Sequence, residues 1–273
     1  MPLAVCATPI GNLDDVTLRV LAELREADLV LCEDTRRTRI LLDRHTISPA
    51  RIESYHRHNE ASRARHVLTR LERGERICLV SDAGLPGVND PGARLIAASV
   101  AAGVPVTVLP GPSAVETALV ASGLVGDGYT FLGYLPRGAK QLAELWAGLA
   151  WSPHPAVAFE SPRRLPATLQ SLATALPDRA VAVCRELTKR FEEVVRGSAE
   201  ELAARFSEPP KGEITLVIGG GDGGAAAAEE ADALAAVAEL VAAGLARRQA
   251  ADVVARLTRV SRNTLYSKSL QSG

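Results

Sequence analysis

Residues 81–92, SDAGLPGVNDPG, place three glycines, two prolines and two aspartates in twelve positions, between an apolar run ending at Val80 and an alanine-rich run beginning at Ala93. Three other short stretches have the same character and also follow apolar runs: TPIGN (8–12), EDTRR (33–37) and PGPSA (110–114). Glycine lets backbone approach a ligand with no Cβ in the way, and proline holds a turn in one shape. Asp34, Asp82 and Asp90 add carboxylate acceptors, and a helix start after Ser113 adds exposed amide donors. This inventory suits a ligand with hydroxyls, a flat apolar ring, a carboxylate and a positive charge. It does not suit a nucleoside triphosphate or a dinucleotide. No G-x-x-x-x-G-K-[ST] is present, and TPIGN has one glycine where G-x-G-x-x-G has three.

These stretches need elements to hold them. Strands are predicted at 3–7, 29–32, 77–80 and 105–109, with helices at 16–27, 37–44, 59–73 and 93–102. Asp14 or Asp15 is available to cap the first helix, and Asp90 before Pro91 reads as a cap for the fourth. Strand-helix alternation implies parallel βαβ units with functional loops at the carboxyl ends of the strands. A second series follows, with strands at 130–133, 156–159, 180–184, 193–196 and 213–218 and helices at 141–149, 165–175 and 198–206. The short gap between 184 and 193 implies an antiparallel hairpin and a mixed sheet. The fold class is therefore α/β, with two α/β domains at 1–120 and 121–218. GGGDGGAAAAEEA, residues 219–231, reads as a flexible linker.

Residues 232–273 differ in kind. Helices at 233–243 and 247–257, a turn at 258–260 and a third helix capped by Ser261 fit a helix-turn-helix. From Gly244 onward Arg247, Arg248, Arg256, Arg259, Arg262 and Lys268 stand against Asp252 alone. The chain as a whole carries a net charge of −1, so its basic patch is concentrated in this tail, which makes nucleic-acid contact the favoured reading over a solvated cap.

With 273 residues, 47% of them apolar, the chain can bury a full core. Cys6, Cys32, Cys78 and Cys184 are widely spaced, which implies buried, reduced thiols in a cytoplasmic protein. No apolar run approaches the ~18 residues of a membrane span. His56 and His58 share a side if YHRHNE is extended. No third ligand lies nearby, so no metal is expected, and RNA contact or support of the site is the better reading.

ATPIGNLDD, LCEDTRRT, SYHRHNE, SDAGLPGVNDPG, LPGPSA, FLGYLPR, FESPRR, RELTKRFEE and KGE occur in this order along residues 3–218. Together with the basic tail they resemble the small-subunit ribosomal RNA 2′-O-methyltransferases of the tetrapyrrole methylase superfamily. The resemblance implies two α/β domains with S-adenosyl-L-methionine between them and a homodimer. It also implies methyl transfer to a cytidine ribose 2′-hydroxyl in the decoding region of 16S rRNA, in naked RNA or the assembled small subunit. Cofactor contacts would come from Pro9, Gly11, Asp82, Ala83, Gly84, Pro86, Ser113, Ala114 and Phe159. The family pattern has threonine and serine where this chain has Leu85 and Asn89.

In-line attack on a sulfonium methyl mainly requires alignment of the two reactants, and a ribose hydroxyl also needs an acceptor for its proton. Glu33, Asp34 and Glu160 are the candidates, each at a strand end beside arginines. Arg36, Arg37, Arg163 and Arg164 would hold RNA phosphates, as would Arg247, Arg248, Arg259 and Arg262 in the tail. Lys211 is a weaker candidate, because KGE before a strand also reads as a turn. Two rival functions are a methyltransferase acting on a small molecule such as a tetrapyrrole, and a non-catalytic RNA-binding or ribosome-assembly factor.

Overall fold

A computed structural model of the chain describes residues 2–221, 224–258 and 260–270. Five short runs form the first sheet: β1 (Leu3–Cys6), β2 (Leu29–Cys32), β3 (Ile52–Ser54), β4 (Ile77–Val80) and β5 (Val106–Leu109). Their order is β3-β2-β4-β1-β5, and every pairing is parallel. β1, β2 and β4 are buried along their whole length because helices cover both faces of the sheet. On one face Ala4, Cys6, Val30 and Cys78 pack against Val20 and Leu24 of α1 (Leu18–Glu26) and Leu42 of α2 (Thr35–Arg44). On the other, Leu3, Val5, Leu31 and Leu79 meet α3 (Glu60–Glu72) through Val67 and Leu71, and α4 (Ala93–Ala101) through Leu95. Alternate side chains of each strand thus supply opposite faces.

α5 (Ala114–Ser122) follows the first sheet in sequence but packs on the second. That sheet holds β6 (Thr130–Tyr134), β7 (Ala156–Glu160), β8 (Ala180–Arg185), β9 (Glu193–Ser198) and β10 (Ile214–Ile218), in the order β6-β7-β10-β8-β9. β6 and β7 are parallel and the other pairs antiparallel, so the sheet is mixed, with β8–β9 the expected hairpin. α6 (Ala139–Ala150), α7 (Leu165–Ala175) and α8 (Ala199–Arg205) cover one face, where Trp146, Leu169 and Leu202 are buried. Val115, Ala118 and Leu119 of α5 cover the other, against Val157, Ala182 and Val217, with Ile10 and Leu187 in the same cluster. An apolar core therefore joins the two halves, and residue 120 falls inside the helix that makes it.

Two local expectations differ from the structure, and one strand of the first sheet was not expected. Asp14 and Asp15 lie in a short 3-10 turn (Leu13–Asp15), and the cap of α1 is Thr17, whose side chain accepts from the Val20 amide at 3.3 Å. The Asp14 carboxylate is instead held by Arg44 at 2.8 Å. β3 has only three residues, too few to show a period in sequence. The stretch read as linker to residue 231 is helical from Gly224, since α9 spans Gly224–Ala242; alanine and glutamate favour helix, and Ala233 and Val237 are buried on its face.

α9 packs with α10 (Arg247–Leu257) and α11 (Arg262–Ser269) around Ala233, Val237, Ala250, Ala251, Val254 and Leu265, a core drawn from the tail alone. Ser261 caps α11 by accepting from the Thr264 amide at 3.1 Å. All four cysteines are free and buried, and burial pushes the Cys184 thiol up to about 11. Among the described residues no helix is long and apolar enough to cross a membrane.

Trp146 is fully buried and its indole N–H donates to the Ser171 hydroxyl at 3.0 Å. Trp146→Ala is expected to lower the unfolding free energy by about 3–5 kcal/mol, through lost burial and the cavity left behind, as measured by urea denaturation.

Candidate active site

Because β1 to β5 are all parallel, the loops after them leave one edge of the first sheet, and they are fastened to one another. Thr8 and Gly84 form an antiparallel bridge with amide-to-carbonyl bonds of 2.9 and 3.0 Å, and the Thr8 hydroxyl donates to the Ser81 carbonyl at 3.0 Å. Asp82 accepts the Asp34 amide at 3.0 Å and lies 3.6 Å from the Arg37 guanidinium. Arg57, in the loop after β3, donates to the Asn89 carbonyl. A Cβ on Gly111 would lie 2.9 Å from that of Ala7, so the loop after β5 approaches the loop after β1 only as glycine.

The second sheet presents its own edge, made of the carboxyl ends of β6, β7 and β8 and the amino end of β10. The two edges meet at two points. A Cβ on Gly11 would lie 2.5 Å from the Lys189 side chain and 2.9 Å from the Leu187 carbonyl, and the Asn12 amide donates to the Thr188 hydroxyl at 3.0 Å. At the other point, a Cβ on Gly133 would lie 3.1 Å from the Asn89 side-chain oxygen. Gly11 thus serves the contact between halves, whereas Gly84 is needed for its backbone: it holds φ +78, and a Cβ there would make only ordinary contacts at 3.9 Å with Ile10 and the Pro112 carbonyl. Pro9 and Pro86 are buried and hold their turns, while Ala83 is exposed beside Asp82.

Several expected roles change once the contacts are seen. Glu160 is buried at the end of β7, where its carboxylate accepts the Ser161 amide at 2.6 Å and the Thr168 hydroxyl at 2.7 Å, with Arg164 at 3.2 Å. It braces the start of α7 and is closed to a ribose, so its candidacy as proton acceptor is withdrawn. Arg164 donates to the Leu135 carbonyl at 3.2 Å and to that of Pro136, which makes it a tether for the loop after β6 rather than a phosphate ligand. Arg163 beside it is exposed.

Asp34 is the cap of α2: it accepts the Arg36 amide at 2.8 Å, and the Arg36 guanidinium chelates it at 3.1 and 2.8 Å. These bonds hold its carboxyl down at about 2, too weak a base to draw a proton from a hydroxyl, so Asp34 too leaves the list of acceptors. Arg36 and Arg37 remain largely exposed. Ser113 makes no capping bond; its hydroxyl donates to Glu116, which leaves the Ala114 end of α5 without a side-chain cap. Phe159 is half-buried, its ring in edge contact with Phe131 at 5.2 Å and Tyr134 at 5.6 Å.

Lys211 is exposed, and Gly212 after it has φ +99, so KGE is a turn. His56 and His58 sit in a turn rather than an extended segment, ring centroids 5.9 Å apart, with the Asn59 side-chain nitrogen Nδ2 3.3 Å from His56 Nε2. In the tail, Arg247 donates to the Ser269 carbonyl and is structural, Arg248 is exposed, and Arg262 lies 4.0 Å from Asp252. Arg259 lies outside the described residues.

Asp90 does not cap α4. The cap position of α4 is Gly92, at φ +127, with no side-chain cap bond. Asp90 is instead a partly buried carboxylate whose electrostatic neighbours include Glu33, Ser81 and Asp82. Burial, with the Glu33 charge next and Asp82 adding less, pushes its carboxyl up to about 6, against the pull of a Ser81 hydrogen bond and the Arg57 charge. Asn89 before it adopts φ +61, a conformation asparagine tolerates far better than serine, and Leu85 packs on the core of the first sheet. Both departures from the sequence pattern therefore have backbone and packing reasons.

Two helix-covered sheets, one parallel and one mixed, joined through the apolar cluster around α5, define an α/β fold of two halves. The chain belongs to the family of Tetrapyrrole (Corrin/Porphyrin) Methylases, whose model matches residues 2–203. Within it, the chain is 41% identical over 272 residues to "Ribosomal RNA small subunit methyltransferase I" of Mesorhizobium japonicum, covering 98% of this chain and 91% of the relative. It is 40% identical to the protein of the same name from Synechocystis sp., covering 98% and 97%. Among solved structures, a cobalt precorrin-4 methyltransferase of cobalamin biosynthesis superposes with a TM-score of 0.60 at 18% identity, covering 80% of this chain and 94% of that one. A uroporphyrin-III C-methyltransferase from Thermus thermophilus, complexed with S-adenosylhomocysteine, gives 0.55 at 20% identity, covering 80% and 96%. At these identities the structures show a shared fold.

The Asp90 shift fixes a sign. A carboxyl whose folded value stands near 6, above the ordinary 3.8, stabilises the fold while protonated and loses that contribution as pH rises from about 4 through 6. Asp90→Asn is therefore expected to be more stable than the natural chain above pH 6, by on the order of 1–2 kcal/mol after allowing for the water that still reaches the group, and equal to it at pH 4. Denaturant melts across pH 4–8 check this. Gly11→Ala is expected to break the Asn12–Thr188 bond, seen as faster hydrogen exchange of the Asn12 amide.

Proposed function

We propose that this protein transfers a methyl group from S-adenosyl-L-methionine to a ribose 2′-hydroxyl of a cytidine in 16S rRNA of the small ribosomal subunit. The observation that carries the reading is identity of about 40% along nearly the whole chain, tail included, to proteins named for small-subunit ribosomal RNA methylation.

The residues present fit the methyl donor. Gly84, held on both sides by Thr8, adopts φ +78, which favours glycine and leaves its wall without a side chain, and the start of α5, which lacks an N-cap side-chain bond, is a place for a carboxylate beside Glu116. Asp82 at the end of β4 is the acceptor for hydroxyls, and Phe159 offers an apolar ring. When bound, the cofactor supplies an electrophilic sulfonium methyl. The chain's own work is to align the ribose oxygen and take its proton. Asp90, poised near neutral pH and backed by Glu33, suits that task better than Asp34 or Glu160. Arg36, Arg37 and Arg163, exposed at the two edges, would hold phosphates, and Arg248 and Arg262 would extend the contact from the tail. We further propose a cytoplasmic homodimer acting on the assembled subunit or its RNA.

A tetrapyrrole substrate is the second reading, and the basic three-helix tail speaks against it, since a macrocycle needs no such surface. A non-catalytic RNA-binding role is the third. Incubating the protein and labelled S-adenosylmethionine with small subunits lacking the modification separates them. Ribose label supports the proposal; cofactor binding without label points to a small molecule; neither overturns the enzyme reading. Removing residues 222–273 is expected to weaken subunit binding at least tenfold and leave cofactor affinity intact, measured by filter binding and calorimetry. Collapse of cofactor binding would make the tail a structural cap.

A further inference from the structure

The motif RELTKRFEE takes no part in the chemistry above, yet its backbone is expensive to build. Between β8 and β9, Glu186 and Thr188 both hold left-handed conformations, at φ 52 and 63, which side-chain-bearing residues avoid. Such strain persists only where surrounding contacts impose it. Here the Glu186 carboxylate accepts the Glu213 amide at 2.9 Å and Lys189 at 3.0 Å, Lys189 also meets Glu213 at 2.8 Å, and Glu192 accepts the Thr188 amide at 2.5 Å. Leu187 is buried in the core shared by the halves, and Thr188 receives the Asn12 amide of the first edge.

What this rigid loop displays is an aromatic ring in water. Phe191 is 65% exposed, and the Arg190 guanidinium lies over it, 5.5 Å from the ring centroid. Tyr134, on the same edge of the second sheet, is 66% exposed, and Arg163 on that edge is exposed as well. One exposed phenylalanine on a surface is ordinary. Phe191 paired with Arg190, on a strained loop pinned against the first sheet's edge, has the character of a seat on which an unpaired base stacks while a cation meets the backbone. Tyr134 and Arg163 add a second aromatic and a second cation farther along the second sheet's edge. A duplex, its bases already stacked, gains nothing from such a surface.

We propose that Phe191, with Arg190 laid on one face, is a stacking seat for an unpaired nucleobase of the RNA substrate. This rests on the reading of the protein as an RNA methyltransferase. The seat binds a base through the open face of the ring, and Arg190 supplies a cation to the adjoining phosphate.

The test uses the full chain and a single-stranded RNA oligonucleotide of mixed sequence, with its duplex as control. Phe191→Ala is expected to weaken single-strand binding about 5- to 100-fold, the range of one lost aromatic–base stack, and to raise KM for unmodified subunits. Its cofactor dissociation constant and melting temperature should stay at natural values. Phe191→Trp should keep affinity, and the fluorescence it adds over the natural chain should be quenched by the single strand and not by the duplex. Phe191→Leu separates stacking from apolar contact and should bind as poorly as Phe191→Ala. Binding by Phe191→Leu equal to the natural chain, unchanged binding by Phe191→Ala, or a change of oligomeric state in that variant would each overturn the seat. Absence of methyl transfer by the natural protein would overturn the function itself, a separate result from quenching.

Discussion

The missing side chain of Gly11 is the constraint on which the site depends. With any Cβ at that position, the loop after β1 could not lie within reach of Leu187 and Lys189, and the two sheet edges would not meet as they do. The contact is small, but it sits on a wider apolar seam formed by Ile10, α5 and Leu187 against β7, β8 and β10. The seam supplies the free energy of association between the halves, since burial of apolar surface is non-directional and scales with area. The glycine supplies register, deciding which loops face each other. Asn89 against Gly133 fixes a second point and thereby the relative orientation of the edges.

Electrostatics then sorts carboxylates that look alike in composition. Asp34 is chelated by an arginine two residues on, which holds its carboxyl well below the usual carboxylate range, whereas Glu160 is buried with its oxygens engaged by neighbours. Asp90 is partly withdrawn from water, near other acids, and short of strong donors, so its proton is held to about pH 6. The same chemical group is a helix cap, a brace and a titrating base according to its donors and solvent. A comparable division holds among the arginines: Arg164 and Arg247 satisfy backbone carbonyls, while Arg36, Arg163 and Arg248 reach water.

Much of the scaffold was legible in sequence. β2, β4, α7 and α10 fall on the residues their patterns predicted, because a strand buried on both faces reads as an unbroken apolar run and an amphipathic helix as a 3.6-residue period. β3 escaped because three half-buried residues carry no period, and the Gly-Ala stretch after 219 misled because flexibility was inferred from glycine where alanine drives helix. Asp90 was misread because an aspartate before proline is a common cap signal. The backbone resolved it by placing a positive-φ glycine at the cap position instead.

The sequence by itself determined the elements, the loops that would carry chemistry and the family, since these rest on local propensity and on motifs that recur in order. Tertiary structure alone decided which carboxylate is held protonated to about pH 6, which arginines stay exposed, and why Gly11 and Gly84 are glycine for different reasons. Each of those properties depends on atoms distant in the chain: Lys189 beside Gly11, Glu33 beside Asp90, Thr168 beside Glu160. Desolvation and long-range charge have no period in sequence, so they become readable only once the chain is folded.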